Sequence, residues 1–440
     1  MAFMKSLLKK LLPEKIIGLY HLALAYAAVV YYRFPSKKMI VVGITGTKGK
    51  TSSANFIWAA LNSGGYKTGI IGTANIRIGE KEFLNSYHMT MPGRFTLQKI
   101  LSQMAKEGCR VCVVETTSEG IKQSRHKGIM YDIAVFTNLF PEHLASHEGS
   151  FDEYKKAKGI LFASLEHAPK IINGKPIETL IVANYDSPEK DYFLGFPASK
   201  KITYGMHHGA DVVAEHVANT DYGISFTVRE NNYRLNLPGV FNVYNAIPAI
   251  IIASHFSVPP TSIQQGFNLL RVIPGRMERI QEGQSFEVIV DYAHEKQSMT
   301  LALDTAHAMA KNSSQKVIVL LGAEGGGRDK TKRPEMGAVA GAKANYVIVS
   351  NVDPYDDDPK EIMEDIARSA ESAGKIRGQN LFVIEDRHEG IRKALSLGRE
   401  GDVVLITGKG AEQSMVIKNK HIPWDDRVVV REELKNLIKQ

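Results

Sequence analysis

The residues best suited to do chemistry lie in a glycine-rich run near the start of the chain, G-I-T-G-T-K-G-K-T at positions 43 to 51. Gly46 and Gly49 would let backbone N–H groups close around a polyphosphate. Lys50 would reach the terminal phosphates, and the Thr51 hydroxyl would bind Mg²⁺. The strict phosphate-loop pattern has a glycine where this chain has Ile44. The run predicts a nucleotide-phosphate site. A chance Gly-Lys-Thr turn is the alternative, and ATP is not singled out.

The elements around this run favour the phosphate site. Met39 to Val42 is apolar and partly β-branched, which predicts a buried strand. Phe56, Ile57 and Leu61 follow at helical spacing. A strand, a glycine-rich turn and a helix in this order place the positive end of a helix dipole at the phosphates.

Three further side chains could join a metal–phosphate site. Glu115 ends a predicted buried strand, His143 follows the next strand, and Lys158 lies on the predicted helix from Phe151 to Leu165. Taken alone, each has an ordinary interpretation, such as a hydrogen-bonded loop histidine or an exposed helix lysine. Together with Thr51 of the glycine-rich run, these side chains could converge on one metal–phosphate site.

Composition sets limits on the class of protein. The 440 residues predict two or three domains. The hydrophobic fraction of 44% and charged fraction of 23% are typical of a soluble globular protein. The net charge of +8 is modest and the basic residues form no long run, so we expect no nucleic-acid partner. Cys109 and Cys112 lie in a strand pattern, which predicts core residues rather than a zinc or redox site.

The first 38 residues form a separate, apolar segment. Ile16 to Tyr32 is apolar except for His21, and lysines and an arginine flank it. It is short for a membrane span, and a signal peptide is rejected because the phosphate loop begins a few residues later. Two interpretations stay open: a helix packed on the nucleotide domain, or peripheral membrane contact through residues 13–32. We expect a cytoplasmic protein.

Strand and helix patterns alternate after residue 39, which predicts an α/β fold. Residues 39–273 are predicted to form a phosphate-loop (P-loop) nucleotide-binding central domain, with a parallel sheet and a small antiparallel addition near 223–237. Pro274-Gly275 resembles a hinge. Residues 274–440 are predicted to form a C-terminal Rossmann-like α/β domain.

Several motifs in a fixed order closely resemble the Mur ligase family, and within it the tripeptide-synthetase branch. The segment 136–162, F-T-N-L-F-P-E-H-L-A-S-H-E-G-S-F-D-E-Y-K-K-A-K-G-I-L-F, carries much of this resemblance. The phosphate loop, Glu115 with Thr117, Ser118 and Gly120, and Asn184 with Asp186 also match. Further matches lie at 239–245, 274–278, 290–294, 327–334, 408–410 and 425–427. The resemblance covers residues 39 to 430.

The resemblance implies an ATP-dependent, ADP-forming acid–amino-acid ligase of peptidoglycan precursor synthesis. ATP phosphorylates a substrate carboxylate, and an amine then attacks the acyl phosphate. ATP and two Mg²⁺ ions are implied, with Lys158 carbamylated. The partners implied are a muramyl-peptide substrate and an amino acid, and we expect a monomer.

The resemblance also assigns residues to roles. Catalytic roles are implied for Lys50, Glu115, His143 and Lys158, and metal binding for Thr51, Glu115, His143 and Lys158. Nucleotide contacts are implied for Gly46, Thr47, Lys48, Gly49, Lys50, Thr51, Asn245, Arg276 and Asp291. Substrate contacts are implied for Thr90, Thr117, Ser118, Asp353, Tyr355, Gly408 and Glu412.

The chain departs from the family pattern in three places. The apolar segment stands where the family has a uridine-binding domain. The family's D-N-P-R loop reads V-D-P-Y, and Tyr355 cannot make the bidentate carboxylate pair of an arginine. The family's histidines are absent from Thr117-Ser-Glu119 and from 408–412. Two alternatives are a folylpolyglutamate-synthase-like ligase and a nucleotide-binding homologue without ligase activity.

Overall fold

The computed structural model describes residues 14–87, 89–142, 144–220, 223–310, 312, 314–418 and 420–439. These divide into two compact units. The first comprises residues up to 215 together with 228–231 and 244–269, and the second comprises 216–227, 232–243 and the chain from 270 onward. The domain boundaries drawn from the sequence stay a prediction.

Thirteen α-helices are present in the described part of the chain. Their bounds are α1 Glu14–Tyr31, α2 Lys50–Ser63, α3 Arg94–Lys106, α4 Ser118–Lys122, α5 Phe151–Ala163, α6 Lys190–Leu194, α7 Phe241–His255, α8 Pro260–Leu269, α9 Lys296–Met309, α10 Lys332–Lys343, α11 Pro359–Ser372, α12 Arg387–Leu397 and α13 Asp426–Ile438.

The described strands alternate with these helices. The strands before residue 240 are β1 Ile40–Thr45, β2 Thr68–Ile71, β3 Asn75–Ile78, β4 Lys81–Leu84, β5 Val111–Glu115, β6 Ile133–Phe136, β7 Ile171–Ile172, β8 Lys175–Pro176, β9 Leu180–Asn184, β10 Lys200–Gly205, β11 Val212–Thr220, β12 Gly223–Val228 and β13 Asn231–Leu235. The later strands are β14 Glu278–Arg279, β15 Glu287–Asp291, β16 Val317–Leu321, β17 Tyr346–Val349, β18 Leu381–Val383, β19 Val403–Thr407, β20 Ser414–Ile417 and β21 Lys420–Pro423.

The predicted α/β class is confirmed by the larger sheet. Its strand order is β13-β12-β11-β10-β9-β6-β1-β5-β2-β3-β4. Strand β1 lies between β5 and β6, parallel to both, and all six of its residues are buried. Its continuous apolar run suits a strand that is covered on both faces. The parallel arrangement brings the carboxyl ends of β1, β5 and β6 to one edge, where the predicted site residues follow.

The second unit has its own six-stranded sheet, in the order β14-β15-β19-β16-β17-β18. Only the edge strand β14 pairs antiparallel with its neighbour. Alternate residues of β16 face opposite cores: Val317, Val319 and Leu321 pack into one, and Ile318 and Leu320 into the other. This period of two places helices on both faces of the sheet, as the Rossmann-like prediction requires.

Local chemistry fixes several element boundaries. Helix α9 begins at Lys296, because the Glu295 carboxylate accepts from the backbone N–H groups of Gln297 and Ser298. Strand β2 begins at Thr68 and ends at Ile71. The hairpin of β3 and β4 was not predicted, since its strands carry many charged residues.

Cys109 and Cys112 are buried free thiols, which confirms the core interpretation. None of the described helices combines the length and the apolar character that a membrane span requires.

Candidate active site

The glycine-rich loop joins β1 to α2, as the sequence predicts. Gly46 has φ of +147° and Gly49 has φ of +84°, conformations that favour glycine. A Cβ on Gly49 would lie 2.3 Å from the Asn245 side-chain oxygen, and one on Gly46 would lie 2.0 Å from the Thr137 hydroxyl. The loop therefore needs glycine both for its backbone and for the close approach of these two side chains.

Two lysines converge on one carbonyl oxygen of the loop. Lys50 Nζ donates to Gly46 O at 2.9 Å and to Thr47 O at 2.9 Å. Lys158 Nζ, from the middle of α5, also donates to Gly46 O at 2.9 Å. The predicted catalytic lysines thus lie together at the phosphate loop, although 108 positions separate them in the chain.

Lys158 is buried, with 2% of its surface exposed, so the ordinary interpretation as an exposed helix lysine is wrong. Helix α5 begins after Ser150, whose hydroxyl accepts from Glu153 N. Its buried face includes Tyr154, Ala157, Leu161 and Phe162, and Lys158 completes their helical stripe. This spacing was a sequence signal that a buried lysine would occupy the stripe.

Burial, together with the nearby Lys50 charge, lowers the pKa of the Lys158 ammonium well below its usual range. The ammonium lies 4.4 Å from the centre of the Tyr154 ring. The cost of desolvating the charged form increases the share of neutral amine at a given pH. A neutral amine is a nucleophile, which an exposed lysine near neutral pH is not.

Glu115 forms a second focus beside the loop. Its carboxylate has no exposed surface and accepts from the Thr51 hydroxyl at 3.0 Å. It also accepts from Thr73 N at 2.8 Å and from the Thr73 hydroxyl at 2.9 Å. The Thr73 hydroxyl in turn lies 2.9 Å from that of Thr90, a predicted substrate contact. The carboxylate is thus oriented toward Thr51 by a residue that the sequence reasoning had not singled out.

Residues after β6 shape the other side of the loop. Asn138 Oδ1 accepts from Lys48 N at 2.8 Å, and the Thr137 hydroxyl donates to Lys48 O at 2.7 Å. The Lys48 ammonium pairs with Glu142 at 2.9 Å. Asn138 and Thr137 were not singled out either, and their position at the carboxyl end of a parallel strand was the available signal.

The remaining predicted residues of the first unit have mixed placements. Thr47 accepts from Phe140 N at 3.0 Å, which fixes the loop against the chain after β6. The Thr117 hydroxyl caps α4 by accepting from Gly120 N at 3.1 Å, and Ser118 is buried beside it. His143 lies outside the described residues, so its predicted metal-binding role is not addressed by the structure.

In the second unit, three predicted residues lie around the end of β15. The Asp291 carboxylate accepts from Met277 N and Ala293 N, both at 2.8 Å. The Arg276 guanidinium lies 4.4 Å from the centre of the Tyr292 ring, a cation–π geometry. The Tyr292 hydroxyl donates to Glu412 at 3.0 Å, which links β15 to the predicted substrate loop.

A buried ionic cluster holds the predicted substrate residues of this unit. Lys409 is 1% exposed and pairs with Asp353 at 2.8 Å and Glu412 at 2.6 Å. Burial opposes its charge, but the two carboxylates raise the pKa of Lys409 overall. Gly408 precedes it with φ of +109°, and Tyr355 has φ of +55°. Lys409 belongs to the 408–410 motif, yet its role as the shared partner of Asp353 and Glu412 appears only in the structure.

The arrangement suits a polyphosphate and a hard cation in the first unit. Lys50 can exchange carbonyl partners for phosphate oxygens, and Thr51 with Glu115 offers oxygen ligands of the kind Mg²⁺ prefers. Mg²⁺ usually takes one or two protein carboxylates and completes its shell with phosphates and water. No cluster of three or more histidine, cysteine or acidic side chains that could hold a metal occurs within the described ranges.

Two family models match the chain. The Mur ligase middle domain matches residues 44–253, and the "Mur ligase, glutamate ligase domain" matches residues 275–410. Among curated relatives, the UDP-N-acetylmuramoyl-L-alanyl-D-glutamate–2,6-diaminopimelate ligase of Geobacillus kaustophilus is 38% identical over 94% of this chain and 82% of its own length. The UDP-N-acetylmuramyl-tripeptide synthetase of a Roseiflexus species is 36% identical with the same coverage.

Solved structures show the same likeness in three dimensions. A structure of a UDP-N-acetylmuramoyl-L-alanyl-D-glutamate–2,6-diaminopimelate ligase matches with a TM-score of 0.60 and 28% identity, over 91% of this chain and 79% of that one. Mycobacterium tuberculosis folylpolyglutamate synthase complexed with ADP gives a TM-score of 0.69 at 17% identity, over 95% and 94% of the two chains. At that identity the second match shows a shared fold alone.

Proposed function

Because the chain belongs to the Mur ligase family, we propose that it is an ATP-dependent, ADP-forming ligase of peptidoglycan precursor synthesis. It joins an amino acid to the free carboxylate of a UDP-N-acetylmuramoyl dipeptide. The substrate class follows the names of relatives that are 36% and 38% identical to this chain over 94% of its length. The folylpolyglutamate alternative has only the fold likeness behind it.

One observation of the site carries the proposal: Lys158 Nζ and Lys50 Nζ share the Gly46 carbonyl oxygen while Thr51 donates to Glu115. Joining phosphate to carboxylate brings two anions together, so the reaction needs concentrated positive charge beside a metal site. Lys50 provides the positive charge at this loop, and Thr51, Glu115 and Lys158, the last as its carbamate, provide the metal site. A homologue that had lost its chemistry would have no need to keep a desolvated lysine there.

The residues present fit ATP and Mg²⁺. Residues 46–51 would surround the phosphates, Lys50 would move from the loop carbonyls to phosphate oxygens, and Asn245, Arg276 and Asp291 would contact the rest of the nucleotide. Thr51 and Glu115 would hold one Mg²⁺, and His143 with Lys158 a second. Bound Mg²⁺ would neutralise phosphate charge and polarise the P–O bonds.

Lys158 is proposed to act as its carbamate. The neutral amine, favoured by burial and by Lys50, attacks the carbon of CO₂ and forms an N–C bond, and the nitrogen then loses a proton. The product is an anionic oxygen ligand in place of a cation. This modification accounts for a lysine at a position where a metal ion would otherwise be repelled.

The transfer would take place in two steps. A carboxylate oxygen of the muramyl dipeptide attacks the γ-phosphorus, and ADP leaves. The deprotonated amine of the incoming amino acid then attacks the acyl carbon, phosphate leaves, and an amide remains. Lys50 would stabilise the charge of the first step because its position at the loop is fixed before the substrates meet.

Substrate recognition is assigned to two groups of residues. Thr90, Thr117 and Ser118 lie near Glu115 along the chain or in space and would contact the muramyl peptide. The group for the incoming amino acid comprises Asp353, Tyr355, Gly408 and Glu412. Since Tyr355 lacks a guanidinium, a diaminopimelate acceptor would not gain the bidentate pair that an arginine offers its carboxylate.

We further propose that the enzyme acts in the cytoplasm as a monomer on small molecules, without a nucleic-acid partner. Peripheral membrane contact through residues 13–32 would involve helix α1 and not the phosphate loop. Sedimentation velocity across a tenfold range of protein concentration tests the monomer, because a self-associating protein would sediment faster as concentration rises.

The reaction is tested with the purified chain, ATP, Mg²⁺, bicarbonate and UDP-N-acetylmuramoyl-L-alanyl-D-glutamate, with each candidate amino acid offered separately. Product mass and phosphate release are read together. We expect a mass gain with one amino acid and one phosphate per product. The Lys50→Met variant serves as the negative control. Glutamate addition to a folate, with no muramyl product, would overturn the substrate assignment.

A further inference from the structure

Helix α1 exposes an apolar face along its length. Its exposed members recur at helical spacing, with Leu19 66%, Val30 62% and Tyr31 72% exposed. We call this face the outer stripe; it comprises Ile16, Leu19, Tyr20, Ala23, Tyr26, Ala27, Val30 and Tyr31. A regular apolar stripe of this length on a helix normally faces a core, a partner or a membrane.

The opposite face of α1 already supplies the contacts that fix the helix. Ala25, Ala28 and Val29 are buried, at 2%, 0% and 0% exposure. Gly128 allows close packing, since a Cβ there would lie 2.1 Å from a methyl group of Val29. Because α1 is apolar on both faces and only one is covered within the described chain, the outer stripe is not required for packing the fold.

The apolar surface continues past the end of the helix. The Tyr31 and Phe95 rings lie 6.3 Å apart, and 42% of Phe95 is exposed. Arg33 and Phe34 have φ of +56° and +53°, so the chain turns sharply and leaves Phe34 42% exposed. Aromatic side chains at the rim of an apolar surface suit the boundary between acyl chains and lipid headgroups.

Positive charge is concentrated in the same part of the chain. Residues 1–38 contain seven lysines and arginines and one acidic residue, so they carry six of the eight net positive charges of all 440 residues. Arg33, Lys37 and Lys38 are exposed, and Lys37 Nζ lies 4.8 Å from the centre of the Phe34 ring. The cations therefore border the apolar surface at the end of α1.

We propose that the outer stripe docks into the surface of an anionic lipid bilayer, with α1 lying in the plane of the membrane. An apolar helix face bordered by cations is the arrangement that binds such surfaces. The 18 residues of α1 would extend about 27 Å along that surface. The contact concerns α1 and not the phosphate loop, so it does not depend on ligase activity.

Binding is measured by flotation of the purified full chain with phosphatidylcholine vesicles that contain 0 or 30 mole per cent phosphatidylglycerol. We expect the chain to float with the anionic vesicles at low salt and to be largely released at high salt. The Leu19→Glu/Val30→Glu variant should partition at least tenfold less, because each change places a carboxylate on the inserted face. Thermal unfolding transitions that match those of the unchanged chain would show that the variant remains folded.

Matched controls separate the stripe from general surface effects. Leu269 is 76% exposed at the end of α8, so Leu269→Glu adds a carboxylate elsewhere and should leave flotation unchanged. Lys37→Glu/Lys38→Glu should weaken binding by about tenfold or more. Lys360→Glu/Lys439→Glu, which makes the same change of charge on exposed lysines elsewhere, should have little effect.

Any of three outcomes would overturn the proposal. One is that the chain stays unbound to anionic vesicles at low salt. Another is a dimer in sedimentation velocity that Leu19→Glu/Val30→Glu dissociates, since the stripe would then be covered by a second copy. Vesicle binding that persists in this folded variant would equally exclude the stripe as the docking surface.

Discussion

Lys158 joins the chemistry of the site to the interior of the first unit. It is a lysine with 2% exposure whose Nζ donates to a loop carbonyl and whose neighbour is Lys50. Two cations so close cost free energy unless one is neutral or converted to an anion. The position therefore makes sense as one that is chemically modified before the reaction.

Replacing Lys158 tests this. We expect Lys158→Ala to lower the ligation rate by about a hundredfold to a thousandfold, the scale of losing one electrostatic group at a reacting centre. Small carboxylates such as acetate should restore part of the rate, because they can supply the missing anionic oxygens. Lys156→Ala, with a side chain 64% exposed on the same helix, is the control and should keep its activity. An unchanged rate in Lys158→Ala would remove the residue from the mechanism.

Because the pKa of Lys158 is lowered, its amine is neutral down to a lower pH than that of an ordinary lysine. Raising the pH through the folded-state pKa increases the neutral fraction and so the rate of carbamate formation. Activity recovered from bicarbonate-free enzyme should thus return faster at the higher pH.

Thr73 orients Glu115 with both its backbone N–H and its hydroxyl. Thr73→Val keeps the shape and the backbone donor but removes the hydroxyl. A hydrogen bond to a charged group contributes about 1.5–3 kcal/mol, so the Mg²⁺ concentration for half-maximal ligation should rise about tenfold or more. The same titration with Thr68→Val, a threonine whose hydroxyl contacts Tyr66 O, should be unaffected. Equal Mg²⁺ requirements would show that Thr73 does not hold the carboxylate.

At the scale of elements, two glycines flank helix α2. Gly49 lies in the turn between β1 and α2, Gly65 lies just after α2, and both have positive φ, at +84° and +80°. A Cβ on Gly49 would meet Asn245, whereas a Cβ on Gly65 would have open space around it. Comparing alanine variants at these two positions therefore separates the effect of backbone strain from the effect of a clash with Asn245.

We expect Gly49→Ala to weaken binding of a fluorescent ATP analogue by at least about tenfold, because the loop must shift away from Asn245. Gly65→Ala should cost about 1 kcal/mol of stability and leave nucleotide binding intact. Binding titrations and thermal melts of both variants make the comparison. Equal binding losses would mean that strain, and not the contact, governs the loop.

A buried ion pair joins two helices of the second unit. Arg387, at the start of α12, bonds Asp426 of α13 at 2.7 Å and 2.6 Å, and both side chains have 0% exposure. The same guanidinium donates to Asn351 O and Thr407 O, at the ends of β17 and β19. The pair therefore holds the helices at the strand ends that precede the predicted substrate loops.

Removing one charge of this pair should cost more unfolding free energy than removing both. Arg387→Met leaves a buried carboxylate alone and should cost about 3–5 kcal/mol of unfolding free energy. The double variant Arg387→Met/Asp426→Leu should lose less than the single variant, since no charge is stranded. Arg377→Met breaks an ion pair with Glu364 whose side chains are 42% and 40% exposed, and should cost at most about 1 kcal/mol. A double variant less stable than Arg387→Met, measured by denaturant unfolding, would refute this account.

At the scale of the whole molecule, each unit has its own hydrophobic core. One cluster surrounds the parallel strands of the first unit, and two clusters cover opposite faces of the six-stranded sheet. Separate cores allow separate unfolding, so a single melting temperature is not expected to describe this chain. A ligand that binds the native state raises the stability of the unit that holds it.

Calorimetry can measure how much a bound nucleotide stabilises the first unit. A non-hydrolysable ATP analogue with Mg²⁺, at a hundred times its dissociation constant, adds about 2.7 kcal/mol. This should raise the transition of the first unit by about 5–10 °C. Gly49→Ala, at the same analogue concentration, should show about half of this shift or less and keep its transitions. A shift of unchanged size in Gly49→Ala would place the bound nucleotide away from the loop.

The sequence by itself determined the order of elements, the phosphate loop and the family. These depend on local patterns: β-branched runs for β1 and β5, glycines at positive φ, and motifs in a fixed order. Hydrophobic periodicity predicted the helix that carries Lys158, and the structure places this lysine on the buried face of α5. The resemblance named its role, although the interpretation from the residue alone was an exposed side chain.

Only the tertiary structure decided which side chains meet. Thr73 contacts Glu115 across 42 positions, Lys158 contacts Gly46 across 112, and Lys409 joins Asp353 across 56. No local pattern encodes such pairs, because parallel strands bring distant strand ends to one edge only after the sheet has formed. The outer stripe of α1 is a similar case. Its residues are apolar in the sequence, but which face the fold leaves uncovered depends on where α1 packs.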